Sequence, residues 1–226
     1  MWLTDYGFFQ FTVNGRVLLA CQTKNFGNNQ LCTWVTTDKH ATHVLLDHYH
    51  FPTIPYCFSR ERRIINNFFD RYHPVIAKPV LGEKSEGVRL ISERDKLFES
   101  DLSTTLFERF VKGIEYRYLR MEGKLIAVQK KTPAPTAKYP WKKEYTNVET
   151  GEYDVRLSQL SEEINKVIPQ QLLAVDFIVG QDDHVWVLEV NSMPGLWSFL
   201  HPDFGTPIDL TGLILDFIIR SQVGKI

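Results

Sequence analysis

Cysteine is scarce in this chain, with three thiols among 226 residues. Cys21, Cys32 and Cys57 are odd in number and unclustered, so they read as buried or incidental thiols in a reducing compartment. Charge of one sign is also missing: 26 basic against 27 acidic residues leave a net charge of −1. Composition therefore offers no case for binding nucleic acid or an anionic membrane. The aromatic residues do not interleave with a basic stripe, as stacking on bases would require. No apolar run approaches the roughly 20 residues of a membrane span. The opening Met-Trp-Leu-Thr-Asp-Tyr lacks the basic and apolar regions of a signal peptide, which points to a cytoplasmic protein. Neither a Walker A sequence nor a Gly-x-Ser-x-Gly elbow occurs.

What is present suits a packed globular chain: 43% hydrophobic and 13% aromatic residues over a length that fits one large domain or two small lobes. Phe8 to Leu19 alternates around Asn14-Gly15, a strong hairpin signal. After a loop at 24–29, Thr36 or Thr37 is expected to cap a helix over about residues 38–49. A second helix is expected over 61–72, followed by strands at 75–79, 88–91 and 105–111, with a loop at 81–87. Residues 115–131 read as a hairpin turning at Glu122-Gly123, residues 132–152 as a long loop, and 157–167 and 211–220 as helices. His40, His43, His48 and His50 lie around one helix. Their spacing matches no common zinc signature, so they read as a solvated helix face.

Residues 173–195 carry most of the information. Two apolar runs flank a polar turn, which predicts a β-hairpin with Asp182-Asp183 as its two-residue loop. Counting back from that loop sets Asp176 opposite Glu189, and period-two alternation places Asn191 on the same face. The other face would carry Val175, Phe177, Val179, Trp186, Leu188 and Val190. Two facing carboxylates repel unless something neutralises them. A hard cation with oxygen ligands does that, and Mg²⁺ commonly uses one or two carboxylates plus substrate phosphates.

The Asp176…Glu189-Val-Asn191-Ser-Met-Pro-Gly arrangement resembles the metal-binding end of ATP-grasp enzymes. It is most similar to the ligases that add glutamate to a ribosomal protein, to cyanophycin synthetases and to the ligase half of bifunctional glutathione synthetases. The resemblance runs back to about residue 30. Thr-Asp-Lys39…Thr…Leu-Leu…Pro-x-Pro resembles the helix whose lysine reaches the nucleotide phosphates. Val-Ile-Ala-Lys78-Pro resembles the strand whose lysine contacts the α- and β-phosphates, and a lysine within an apolar strand is costly without an anion. The loop that follows keeps Gly82 and Gly87 but holds Glu83, Lys84, Ser85 and Glu86 where the family has more glycine; Lys84 or Ser85 would compensate. Phe107-Glu108-Arg-Phe110-Val111-Lys-Gly-Ile-Glu115 resembles the lobe connection. The resemblance implies that the main chain from Glu108 through Phe110 to Val111 reads adenine and that Glu115 holds the ribose hydroxyls. The family has Arg where Lys131 stands, beside a transferring phosphate. Hairpin counting instead pairs Glu115 with Lys130 and turns Lys131 away, and a bulge would reconcile the two. Lys131 is the expected cation, with Lys130 in reserve, and Arg117 faces phosphate or a substrate carboxylate.

The resemblance implies an α+β ATP-grasp fold, two antiparallel-sheet-plus-helix lobes that clasp ATP. The expected organisation is an N-terminal hairpin and loop over 1–35 and the grasp domain over 36–226. Its small lobe would span about 60–110, and its large lobe about 111–226 together with 36–59. The implied reaction is ATP- and Mg²⁺-dependent ligation, with Mn²⁺ as a substitute metal. A substrate carboxylate becomes an acyl phosphate and is joined to an amine, releasing ADP and phosphate. The alternative is a non-catalytic nucleotide-binding or interaction protein that keeps the fold. The expected substrate is a small amino acid or peptide, with no nucleic acid and no membrane as partner. The loop over 132–152 is expected to close over the acceptor. Only about 35 residues precede Lys39, too few for the N-terminal α/β domain that completes the family's substrate pocket. A homodimer or partner protein, docked on the Phe8, Phe9 and Phe11 hairpin, is expected to supply that wall.

Overall fold

Two antiparallel sheets frame the molecule in the computed structural model, which describes residues 8–13, 16–21, 29–82, 85–135 and 142–223. Strands β1 (Phe8–Val13) and β2 (Arg16–Cys21) form a separate two-stranded hairpin with Val13 opposite Arg16. The Asn14-Gly15 turn itself lies outside the described residues.

Two helices follow where one was expected. Asn29 caps α1 (Gln30–Thr37), its side chain accepting from the Leu31 and Cys32 amides. Thr36 and Thr37 are therefore the last turn of α1, and their hydroxyls are spent on the Thr33 carbonyl. The cap of α2 (Lys39–His48) is Asp38, extended at φ −91°, whose carboxylate accepts from the Ala41 amide at 2.9 Å. A carboxylate at this position also complements the helix dipole.

The smaller sheet has the order β3 (Tyr56–Cys57), β6 (Thr105–Arg109), β4 (Val75–Pro79), β5 (Arg89–Ile91). Tyr56 and Cys57, expected with the large lobe, thus pair in the small one. α3 (Arg62–Tyr72) buries Ile65 and Phe69 on Val75, Ala77, Ile91 and Phe107.

The larger sheet has the order β11 (Val185–Asn191), β10 (Leu172–Gly180), β7 (Gly113–Met121), β8 (Lys124–Pro133), β9 (Lys143–Asn147). Strand alternation sorts its two faces. One is apolar: Tyr118, Val128, Val175, Phe177, Val187 and Val190 pack on Leu46 of α2 and on Leu157 and Ile164 of α4 (Val155–Val167). Each such burial is worth about 1.5–3 kcal/mol. The other face is divided along its length. At one end Leu119, Met121, Ala127, Leu172 and Ala174 meet Phe199 of α5 (Trp197–Leu200) and Phe217 of α6 (Thr211–Val223). At the other end Glu115, Arg117, Gln129, Lys131 and Asp176 share a polar patch.

β9 was expected to be loop. Its amides and carbonyls are taken up on both sides, by β8 and by Asp203–Phe204. Gly205, at φ +82°, permits this close approach, since a Cβ there would stand 2.5 Å from the Asn147 carbonyl oxygen. Within the connection expected over 132–152, Lys143–Asn147 is strand and residues 148–154 link it to α4. Residues 136–141, the centre of the expected lid, lie outside the described residues. Among the described residues no helix is long and apolar enough to cross a membrane.

Candidate active site

Asp176 and Glu189 stand directly opposite each other, as the spacing predicts, but two departures cancel to put them there. Gly180 N–H donates to the His184 carbonyl at 2.9 Å. The turn is therefore three residues, Gln181 to Asp183, with Asp183 left-handed at φ 59°, and not the Asp182-Asp183 pair. That register sets Phe177 opposite Val187. A bulge between Asp176 and Phe177 then leaves Leu188 over and realigns the carboxylates. The bulge also re-sorts the faces. Val185 and Val187 join the apolar side, in place of the expected Trp186 and Leu188. Trp186 pairs with Ile178 on the Asp176 side, and Leu188 lines a cleft.

Asp176 has two counter-charges of its own within the protein. Asp176 is 3% exposed. Arg117 grips it with two parallel bonds, Nε to Oδ1 and Nη2 to Oδ2, each 2.7 Å. Lys131 Nζ donates to Oδ2 at 2.7 Å. Burial alone would raise the Asp176 pKa; the Arg117 and Lys131 cations outweigh it and hold the carboxyl well below the usual range. Burial and the neighbouring Arg117 push the Lys131 ammonium below an ordinary lysine, against the pull of Asp176. Glu115 pairs with Lys143 at 2.6 Å on the same face.

Lys131 reaches this face because of a second bulge, between Leu119 and Arg120. It sets Glu115 opposite Lys131 and Tyr116 opposite Lys130. Lys130 therefore lies on the opposite face of the sheet, and its reserve role is withdrawn.

Glu189 makes no hydrogen bond or ion pair with any described residue. Asn191 Oδ1 accepts from the Met193 amide at 2.8 Å and keeps a second lone pair. Among the described residues no three His, Cys, Asp or Glu side chains gather as a metal cage. The donors at hand are oxygens only, two carboxylates and an amide, which fits a magnesium ion completing its shell with phosphate and water.

A second charged cluster lies on the small sheet. Glu108, 2% exposed, accepts from Lys78 Nζ at 2.6 Å and from His43 Nε2 at 2.5 Å, both at Oε1. Burial would raise the Glu108 pKa, but Lys78 and His43 together lower it. His43, expected on a solvated face, is 4% exposed and stacked on Tyr56 with ring centroids 4.4 Å apart. His40 packs on Phe58 and His48 on Tyr49, so the four histidines do not converge.

A shallow cleft opens between α2, Lys78 of β4 and the end of β11. Its walls include Lys39, His43 and Lys78 on one side and Leu188 and Glu189 on the other. The start of α2 is tied to the glycine loop: Lys39 N–H donates to the Val80 carbonyl at 3.1 Å and Lys39 Nζ to the Gly82 carbonyl at 2.6 Å. Ser85 and Gly87 both turn left-handed, at φ 59° and 73°. Gly87 has no substitute, because a Cβ would press to 2.8 Å from Pro79 Cγ.

No protein-family model matches the chain. It is 26% identical over 245 residues to a D-alanine–D-alanine ligase of Clostridium botulinum, covering 95% of this chain and 78% of that one. Its fold matches the ATP-grasp ligase PsnB, crystallised with a precursor variant, Mg and ADP, at a TM-score of 0.71 and 16% identity. That match covers 86% of this chain and spans 61% of PsnB. A D-alanine–D-alanine ligase from Bacillus anthracis complexed with ATP gives a TM-score of 0.67 at 22% identity, over 88% of this chain and 70% of that one. The chain has the fold of the ATP-grasp superfamily, and its sequence is similar to D-alanine–D-alanine ligases. The superfamily and the α+β fold agree with the motif reading, while D-alanine–D-alanine ligases are a branch that the motifs did not single out.

Within the ATP-grasp frame, the structure brings Lys39, Lys78 and Glu189 to one cleft and Arg117, Lys131 and Asp176 to one ion triad. Glu108 departs from expectation. Its main chain lies inside the sheet between Tyr56 and Ile76, and its side chain carries its contacts. Phe110 and Val111 sit at the lobe connection, where the Phe110 amide already donates to the Pro74 carbonyl at 3.2 Å. Reading the sequence missed His43 and Leu188. A histidine on the inward side of a helix that also carries Thr42 and Leu46 was the available signal for the first. For the second there was none, since only the bulge exposes it.

Proposed function

We propose that this chain is an ATP- and Mg²⁺-dependent carboxylate–amine ligase that acts on an amino acid or peptide. One observation supports the reading most: a single cleft is lined by Lys39 of α2, by Lys78 of the small sheet and by Glu189 of the large one, with a compensated Asp176–Arg117–Lys131 triad across from Glu189. Glu189 and Asn191 would hold the magnesium ion, with Asp176 beside them, and bound there the ion would neutralise phosphate charge. Lys39 and Lys78 bind and orient the polyphosphate. Lys131 and Arg117 supply positive charge where the γ-phosphoryl group is transferred, on a rigid sheet that needs no reorganisation. A substrate carboxylate oxygen attacks the γ-phosphorus, the β–γ bond breaks and ADP leaves. The amine then attacks the acyl carbon, phosphate departs with the carboxylate oxygen, and the amine loses a proton. Carboxylate is a poor electrophile, and phosphorylation supplies its leaving group.

The acceptor is the finer question. α5 is anchored beside the triad through Gln129, which donates to the Ser198 carbonyl at 3.0 Å, and Trp197 and Phe204 stand exposed next to it. That supports an acceptor presenting apolar surface, such as a peptide. The β1–β2 hairpin pairs with neither of the other sheets, and a lone hairpin is marginal by itself. A second subunit or a substrate-bearing protein on that hairpin completes the acceptor wall in this reading, and sedimentation of the purified chain tests it. We place the reaction in the cytoplasm, where ATP and reduced thiols coexist.

The test is ADP release from Mg-ATP across a library of amino acids and short peptides. Acceptor-dependent ADP is expected. Tight ATP binding with no turnover on any member would favour a binding protein instead.

A further inference from the structure

We infer that His43 is a positioning residue for nucleotide binding: it holds the buried Glu108 carboxylate so that Lys78 can leave it for a phosphate. This rests on the reading that Lys78 serves the nucleotide.

Three groups meet at one atom. Glu108 Oε1 accepts from Lys78 and from His43, and all three side chains are 9% exposed or less. Lys78 and His43 both line the cleft, whereas Glu108 does not. The Lys78 charge is directed at Glu108. A phosphate that draws Lys78 away would orphan a carboxylate far from water, which is among the costlier events in a protein interior. His43 prevents that. The ionised Glu108 accepts, so His43 Nε2 carries the proton and donates. Its ring is fixed face-on to Tyr56, with the planes 22° apart. Its other nitrogen, Nδ1, is buried and has no partner among the described residues, so the hydrogen bond the ring makes to a described residue is aimed at Glu108. The geometry suits a group that keeps one carboxylate satisfied in both states of Lys78.

The consequence is selective. Ligands with phosphates require Lys78 to move, and adenosine does not. Titration calorimetry of the full chain with Mg-ATP, Mg-ADP and adenosine separates the two. His43→Leu should weaken both phosphorylated ligands about tenfold or more, since a charge-assisted bond is at stake, and leave adenosine within twofold. His43→Gln, which retains an N–H donor, should recover most of the loss. Glu108→Gln removes the charge that needs holding, so adding His43→Leu to that background should change ATP affinity by less than twofold. The Glu108→Gln pair carries the test even where His43→Leu alone does not fold. Equal losses of adenosine and ATP, unchanged ATP affinity in His43→Leu, or a tenfold loss in the Glu108→Gln background would each overturn the inference. A wild-type chain that binds ATP no more tightly than adenosine would overturn the assignment of Lys78 itself, a separate and recognisable failure.

Discussion

Removing the Asp176 charge should cost stability, whereas removing the Glu189 charge opposite it should cost only activity. Asp176→Asn leaves a side chain of nearly the same shape with one acceptor oxygen in place of two. Arg117 and Lys131, 14% and 7% exposed in their side chains, would then be two buried cations with no counter-charge. Three charge-assisted hydrogen bonds converge on this carboxylate. At about 1.5–3 kcal/mol each they set an upper limit, and measured losses for stripping one partner from a buried pair are about 3–5 kcal/mol. We expect the latter range, a large share of the ~5–15 kcal/mol that holds a domain together. At ~2–4 °C per kcal/mol for a chain of this size, the midpoint should fall by roughly 6–20 °C. Urea unfolding followed by circular dichroism, with thermal scans, measures it. Asp176→Asn combined with Lys131→Met should regain part of the loss, because one surplus cation is gone. Glu189→Gln should unfold within about 0.5 kcal/mol of wild type, as for a side chain with no hydrogen-bond or ion-pair partner among the described residues, while turnover disappears. The reasoning fails if Asp176→Asn costs less than about 1 kcal/mol, or if Glu189→Gln is equally destabilised.

Other outcomes follow from the same geometry. Lys131→Arg should move the alkaline limb of the kcat/KM profile to higher pH, because burial and Arg117 depress the lysine and an arginine does not deprotonate; an unmoved limb would take Lys131 out of the chemistry. The Asp176 and Glu108 carboxyls both have folded pKa values below their unfolded ones. Their stabilisation is thus fully present above about pH 4, the unfolded carboxyl range, and is lost as pH falls through the folded values. Urea midpoints that rise on acidification below pH 4 would contradict that sign. Deleting 136–141, which spares β9, should raise the KM for acceptor more than the KM for ATP if this connection closes over the acceptor; equal changes in both would refute it.

Much of the site was legible because its chemistry is carried by residue type and strand period. Lysine inside the apolar Val75–Pro79 strand, and Asp176 facing Glu189 across a hairpin, are local patterns. What escaped was non-local. Counting along the 115–131 hairpin favours Lys130, and only the bulge at Leu119 and Arg120 turns Lys131 inward. The Asp176–Glu189 register came out right although the turn was taken one residue short, because the Leu188 bulge compensates. The Arg117–Asp176–Lys131 triad joins the β7–β8 hairpin to β10, 45 to 59 residues further along the chain. Nothing in any one segment announces it. β9 was hidden because Lys-Glu-Tyr-Thr-Asn alternates weakly and owes its strand to edges supplied by β8 and by Asp203–Phe204. His43 was read with the other helix histidines as solvated, yet the fold turns it onto Glu108.

The central claim is that a substrate carboxylate is phosphorylated by ATP before an amine displaces the phosphate. It is tested most directly by running one turnover with an acid substrate labelled with ¹⁸O in its carboxylate and analysing the products by mass spectrometry. The account predicts unlabelled ADP and inorganic phosphate carrying one ¹⁸O from the acid. Label recovered in AMP, with pyrophosphate released, would contradict it.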